Sequence, residues 1–295
     1  MLTNFDKIRL KLAVSKNDFI KAAEIICDDS KTTKPYYKMS DAFITLGNYF
    51  ASENYYENND YLNKILSLKP DSQKAILCYH LALQNANPLA VRKLERYYYY
   101  GNGVGEKNIP AMKAVYELGA SLNDSYSEYK LGKLYYKGVY YEQDYEKALK
   151  HFSRSFVLNP DYSSYYLGTM YEKGLGVQKN LEKAFECYQT GAQVNAKSKL
   201  RLAQIYSTQK LANAFGIDLN LTLAEKYYRE YCEFLKTKKE NKYENKEEKI
   251  KQYSNIIKDM KKERLEKLKP VIKEVKKQNK TEKQQSFDLN FIPER

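Results

Sequence analysis

Apolar residues recur at steps of three and four along most of this chain, and the runs are bounded by Asn, Asp, Gly and Pro. That periodicity predicts a succession of short amphipathic helices. Leu2–Val14 and Asn17–Cys27 read as the first two; Phe19, Ala22, Ala23 and Ile26 share a face in the second. The polar segment Asp28–Lys34 and then Pro35 break the pattern. Ser40–Asp71 reads as a helical hairpin. Its first stripe is Ala42, Phe43, Leu46, Gly47 and Phe50; its second is Tyr61, Leu62, Ile65, Leu66 and Leu68, closed by Lys69-Pro70-Asp71. Gln73–Asn85 reads as a further helix, ended by Asn87-Pro88.

One pattern then appears twice. Tyr129, Leu131, Gly132, Tyr135, Gly138, Glu146, Lys147, Ala148 and Phe152 are matched by Tyr165, Leu167, Gly168, Tyr171, Gly174, Glu182, Lys183, Ala184 and Tyr188. The period is 36 residues and 12 of the 36 aligned positions are identical, which marks a stacked-repeat protein. The units fall at 89–123, 124–159 and 160–195, with a degenerate unit at 196–236 carrying extra loop residues around Leu211–Ile217. Two registers compete before residue 88. Ser40–Asp71 can be one hairpin, or Lys74-Ala75 and Cys78-Tyr79 can mark the second helix of a repeat whose first helix is Tyr61–Leu68.

Leu-Gly, Tyr three residues later, Gly-x-Gly-Val, then Lys-Ala and Tyr resembles the Sel1-like repeat family, a relative of the tetratricopeptide repeat. Gly174-Leu175-Gly176-Val177 and Gly101–Val104 carry the loop motif; Gly138-Val139-Tyr140-Tyr141 keeps only its first Gly. Residues 40–71 resemble a tetratricopeptide repeat more closely, through Leu46-Gly47, Phe50 and the ending before Pro70. The resemblance implies an all-α fold, an α/α solenoid of such hairpins, and an adaptor role in protein complexes. Such repeats are frequent in host-associated bacteria. Expected organisation is an N-terminal helical cap (1–35), tetratricopeptide-like hairpins of open register (36–88), Sel1-like repeats (89–236), a long basic, charged helix (237–283) and a flexible tail (284–295).

Mid-helix glycine is unfavourable by about 0.5–1 kcal/mol against alanine. Gly132 and Gly168 are tolerable there if the missing Cβ lets a partner helix approach, with Ala148 and Ala184 as the small residues opposite. Gly174 and Gly176 are expected to take positive φ where one helix ends and the chain turns. Leu131, Leu167, Tyr135 and Tyr171 complete this packing set.

Charge alters the picture only locally. Lys236–Lys283 holds 18 Lys/Arg against 9 Asp/Glu, so it carries +9 of the chain's net +13. Within it Ile250, Tyr253, Ile257 and Met260 form one stripe and Leu265, Leu268, Ile272 and Val275 continue it. Pro270 is expected to kink or stop that helix. It is expected to dock on the solenoid end or on a partner. Its basic clusters, such as Lys261-Lys262 and Lys276-Lys277, also raise nucleic-acid association as a weaker alternative.

Candidate chemistry is sparse. Cys27, Cys78, Cys187 and Cys232 are far apart and only two His occur, so no metal site or cofactor is expected and buried free thiols are. Gly101–Gly105 follows a helix, whereas a nucleotide loop follows a strand, so a repeat turn is favoured. His80 and His151 sit at helix-packing positions, and no catalytic group assembles; the expectation is no enzyme. Asp6, Lys7, Arg9 and Lys11 interrupt the first apolar run, and no run of about 18 apolar residues follows, so neither signal peptide nor membrane span is expected. The expected site is cytoplasmic, with delivery into a host cell left open.

The tetratricopeptide resemblance also places a groove. Its first-helix register gives Arg92, Arg96 and Tyr99 in one unit, Tyr129, Lys133 and Tyr136 in the next, and Tyr165, Thr169 and Glu172 in the third. Arg, Lys and Tyr in a groove suit an acidic protein or peptide segment. A bacterial effector or a toxin-neutralising protein built on the same repeats is the other role the resemblance allows.

Overall fold

The computed structural model describes residues 4–30, 38–51, 66, 69–101, 105–139, 142–237 and 245–289. Among them every regular element is helical. The expected stripe residues Tyr61, Leu62, Ile65 and Leu68, the loop residues Asn102–Val104, Tyr140 and Tyr141, Lys238-Lys239, and 290–295 of the tail lie outside the described residues.

The chain divides into two compact units, Met1–Ser163 and Ser164–Arg295. The first holds α1 (Asn4–Ser15), α2 (Phe19–Ser30), α3 (Met39–Phe50), α4 (Ser72–Gln84), α5 (Leu89–Tyr98), α6 (Ile109–Ser121), α7 (Ser125–Lys137) and α8 (Tyr145–Leu158). Then come α9 (Pro160–Lys173), α10 (Leu181–Gly191), α11 (Ala196–Ser207), the short α12 (Gln209–Ala214), α13 (Leu221–Lys236) and α14 (Lys246–Leu289).

Each hairpin is built the same way. Its second helix starts at an Asx residue whose side chain accepts from the first-turn amides: Asp71, Asn108, Asp144, Asn180 and Asn220. Such a cap stabilises a helix by about 1 kcal/mol. The backbone N–H of the same residue donates back to the end of the first helix. The acceptors are the carbonyls of Phe50 (2.8 Å), Tyr98 (2.7 Å), Tyr135 (3.1 Å), Tyr171 (2.9 Å) and Tyr206 (3.0 Å). One residue thus starts a helix and ties the hairpin shut.

Close packing follows from absent Cβ atoms. A Cβ on Gly132 would lie 2.7 Å from the Phe152 ring, and one on Gly168 would lie 2.6 Å from the Tyr188 ring. The groups received by these glycines are therefore aromatic rings, while Ala148 and Ala184 are simply fully buried nearby on the same second helices. A Cβ on Gly47 would meet the Tyr79 ring at 2.5 Å in the same way. With the Asp71-to-Phe50 bond, this pairs α3 with α4 as one hairpin across the long segment 51–71. Neither register read from the sequence anticipates that pairing. The core of the first unit runs unbroken from Leu10 through Phe43, Tyr79, Leu94 and Met112 to Leu134, so α1 and α2 are part of it.

In the second unit α14 docks on α11 and α13. Ile257 and Met260 bury against Ala203, Ala224 and Tyr228, and Tyr253 stacks on Tyr228 at 5.4 Å. Glu225 anchors the same face, with Arg229 at 2.7 Å, Lys261 at 3.6 Å and Arg264 at 3.8 Å. Beyond this contact Leu265 and Leu268 are exposed. Pro270 does not stop the helix: it removes one amide from the ladder, and α14 continues to Leu289, six residues into the expected flexible tail. Among the described residues no helix is long and apolar enough to cross a membrane.

Gly132→Ala should lower stability by about 1–2 kcal/mol. Overpacking costs about 1–3 kcal/mol and removing a mid-helix glycine returns up to about 1. Urea denaturation would show it. Combining Gly132→Ala with Phe152→Leu should give less than the summed loss, because the smaller side chain yields the space. Strict additivity would refute the glycine–ring contact as the cause.

Candidate peptide-binding face

In the first unit α5 and α7 carry a basic and aromatic cluster, joined by Tyr162 at the start of α9. The Arg92 guanidinium lies 4.6 Å from the Tyr126 ring centroid and donates to the Tyr162 hydroxyl at 2.8 Å. Tyr162 stacks on Tyr129 at 5.8 Å and meets Tyr126 edge-on at 5.4 Å. The Lys133 ammonium sits 5.3 Å above Tyr129. Tyr136 packs edge-on against Tyr145 and Phe152. Arg96 is exposed at the last turn of α5, and Tyr99 contacts Tyr100 at 5.0 Å. Five cation–π contacts of this kind hold charged heads against rings here, each worth about 0.5–1 kcal/mol when exposed.

Beneath the cluster lies a buried acid. Glu95 is 5% exposed. It accepts from the Tyr116 hydroxyl at 2.7 Å and the Tyr126 hydroxyl at 2.5 Å, and pairs with Lys130. Burial pushes its carboxyl up, but the Lys130 and tyrosine hydrogen bonds outweigh it and hold the group below its ordinary 4.5. Burial and the Glu95 charge push both Tyr116 and Tyr126 above the usual tyrosine range, so both stay protonated donors. Lys130 and Glu95 were not among the residues singled out from the sequence. They lie 35 residues apart, and Glu95 stands where the next two units have Gly132 and Gly168.

In the second unit the three expected groove residues differ. Tyr165 keeps a half-buried ring, with the Lys197 ammonium 5.4 Å from it. Thr169 is buried, and its hydroxyl donates to the Tyr165 carbonyl at 2.8 Å. It presents nothing to a ligand, because a short side chain at this position closes on its own helix. Glu172 accepts from Tyr188 at 2.7 Å and is held by Arg201 through Nε at 3.0 Å and a second, closer contact. Its charge is spent inside the unit.

The packing set is accounted for position by position. Leu131 and Leu167 are buried; Gly138 and Gly174 turn with φ of 63° and 70°, and Gly176 also has positive φ. Tyr135 and Tyr171 carry Lys147 and Lys183 over their rings at 5.5 and 5.7 Å. His151 stacks on Tyr135 and shares a 2.6 Å hydrogen bond with Glu128; His80 shares one of 2.8 Å with Tyr98, and burial lowers its pKa. The four cysteines are buried and free, and burial raises the Cys78 and Cys187 thiols to about 12, so neither is a nucleophile at neutral pH.

The Sel1 repeat family matches at residues 65–87, 125–156 and 161–194. The chain carries Sel1 repeats in these three places. The solved Sel1 repeat protein of Oxalobacter formigenes is similar at 22% identity and a TM-score of 0.54, over 78% of this chain and 82% of that one. The protective antigen c5321 of uropathogenic Escherichia coli strains, which displays an SLR fold, is similar at 20% identity and a TM-score of 0.54. That likeness covers 77% of this chain and only 45% of the antigen. An immunity protein from Pseudomonas aeruginosa is similar more loosely, at 18% identity and a TM-score of 0.40, over 79% of this chain and 83% of that one. No curated protein matches the sequence. The first two likenesses support an α/α solenoid fold of helical hairpins, and the family match supplies repeats that typically mediate protein interaction.

Glu95 should give the first unit an acid-sensitive core. Its folded carboxyl titrates below 4.5, so the stability it contributes is complete above that pH and is lost as pH falls through the lower folded value. Melting temperature should therefore drop faster below pH 4.5 in the wild type than in Glu95→Gln, which starts lower at pH 7. Parallel profiles for the two proteins would remove Glu95 from this role.

Proposed function

We propose that the chain is a non-enzymatic scaffold that holds an acidic segment of a protein partner on the first-helix face of α5 and α7. The observation that carries this is the Arg92–Tyr126–Tyr129–Tyr162 cluster with Lys133 beside it. Arg92, Arg96 and Lys133 supply positive charge, and Glu95 is already matched by Lys130. Tyr99, Tyr129 and Tyr136 offer rigid rings with polar tips, which lose little entropy on binding. The ring contacts fix the cationic heads before a ligand arrives, so less ordering is left for the binding step. A carboxylate reaching Arg92 or Lys133 would gain charge-assisted hydrogen bonds. Tyr165 belongs to the second unit and is assigned no part; Thr169 and Glu172 are satisfied internally.

The combined variant Arg96→Ala, Lys133→Ala and Tyr136→Ala should lose the partners that wild-type protein captures from lysate, as read by mass spectrometry, while circular dichroism stays unchanged. Capture should weaken as salt rises from 50 to about 500 mM, because exposed charges are screened. A triple variant that retains the same partners at the same yield would defeat the assignment.

A further inference from the structure

A second recognition surface lies in the first unit and is lined by none of the residues just proposed. The last turns of α6 and α8 and the start of α7 enclose a cleft of about 600 Å³. At its floor is Glu128, only 3% exposed. One carboxylate oxygen, Oε2, is hydrogen-bonded to His151 Nδ1 at 2.6 Å. The other, Oε1, has only the Arg154 guanidinium at 3.6 Å, beyond hydrogen-bond length, and no hydrogen bond reaches it from the described residues. That oxygen is open to the cleft, and a donor entering there would supply the hydrogen bond that none of the described residues makes. Arg154 is no tight substitute: its side chain is 57% exposed, and such pairs hold weakly.

The rest of the lining fits an aliphatic stem carrying a cation. Val157, at 83% exposure, and Leu158, at 44%, leave apolar surface in water beside the carboxylate, with Ala120 in the wall. Ser153 also lines the cleft, and its hydroxyl has no partner among the described residues. The Ser121 hydroxyl donates to the Leu118 carbonyl at 2.7 Å and keeps its lone pairs. With one carboxylate oxygen committed to His151, a two-pronged guanidinium cannot take both. A primary ammonium needs only one strong acceptor and can spread its other protons to hydroxyls.

We infer that this cleft receives a lysine side chain from a protein partner, with Glu128 as its counter-charge and exposed Arg154 as the group it displaces. The inference does not rest on the acidic-segment reading, since the two surfaces select opposite charges.

The test uses the full chain and a capped, dye-labelled six-residue peptide with one lysine among leucines and alanines, followed by fluorescence anisotropy. The lysine peptide should bind, and its acetylated and glutamate counterparts should not. Glu128→Gln should weaken binding about tenfold or more, the loss of one charge-assisted contact. Arg154→Ala, at an exposed position, should tighten it several-fold by removing the competitor. The Arg96/Lys133/Tyr136 alanine variant should bind as the wild type does. Undiminished binding to folded Glu128→Gln would overturn the inference. So would weaker binding to Arg154→Ala, or a glutamate peptide that binds better than the lysine one.

Discussion

The contact that brings the helices together in three of the five hairpins is a ring lying on a backbone with no Cβ. Tyr79 on Gly47, Phe152 on Gly132 and Tyr188 on Gly168 repeat one solution to one problem. A short helix cannot bury enough surface alone, because most helical stability in proteins comes from packing an apolar face. Bringing the second helix close enough to matter requires a place where its largest side chain meets no Cβ. Glycine provides the place, at a helix-propensity loss of about 1 kcal/mol. An aromatic ring fully removed from water more than offsets that. Once the ring is seated, the loop length follows. The Asx cap has to reach the carbonyl at the end of the first helix, and it does so at 2.7–3.1 Å in all five hairpins.

The same arrangement explains which residues are free to vary in role. Each first helix gives one face to the ring and leaves another for contacts that need not repeat. In α5 the ring-facing position itself is taken by Glu95, whose buried charge is tolerated because two tyrosine hydroxyls and Lys130 satisfy it. In α7 the corresponding freedom places Glu128 against His151. In α9 it is used for Glu172, closed off by Arg201. Three acids thus have three different degrees of satisfaction. Only the one with a carboxylate oxygen left without a hydrogen bond sits at the floor of an open cleft.

What could be read from the sequence divides along this line. Leu131, Gly132 and Ala148, with their counterparts 36 residues on, announce the fold because a contact that recurs in successive units leaves a periodic mark. The caps leave one too: Asn108, Asp144 and Asn180 are spaced by 36, a signal present in the sequence but masked by the commonness of Asn and Asp in loops. The α3–α4 hairpin was obscured because 21 residues, 51–71, separate its helices and break the period. Arg92 and Tyr162 lie 70 residues apart and meet once, so no repetition could reveal them. Thr169 shows a related effect. A register borrowed from a related repeat fixes where a Cα sits, but a hydroxyl 2.8 Å from its own helix's carbonyl has already chosen its partner.

This difference bears on specificity. Residues that build the hairpin are fixed by sterics: a Cβ at Gly132 meets a ring, and any side chain at Gly138 or Gly174 meets a left-handed backbone. Residues that meet a ligand face no such constraint, so charge can be set unit by unit without disturbing the stack. Arg92 and Lys133 lie over rings, and Glu128 lies under apolar side chains. In both places an aromatic or aliphatic surface thins the water around a charge and strengthens its field. A solenoid built this way can present surfaces of opposite preference within one unit. On the two proposals above, recognition would follow from how completely each charge is satisfied inside the fold, rather than from net charge, most of which lies in the C-terminal segment Lys236–Lys283.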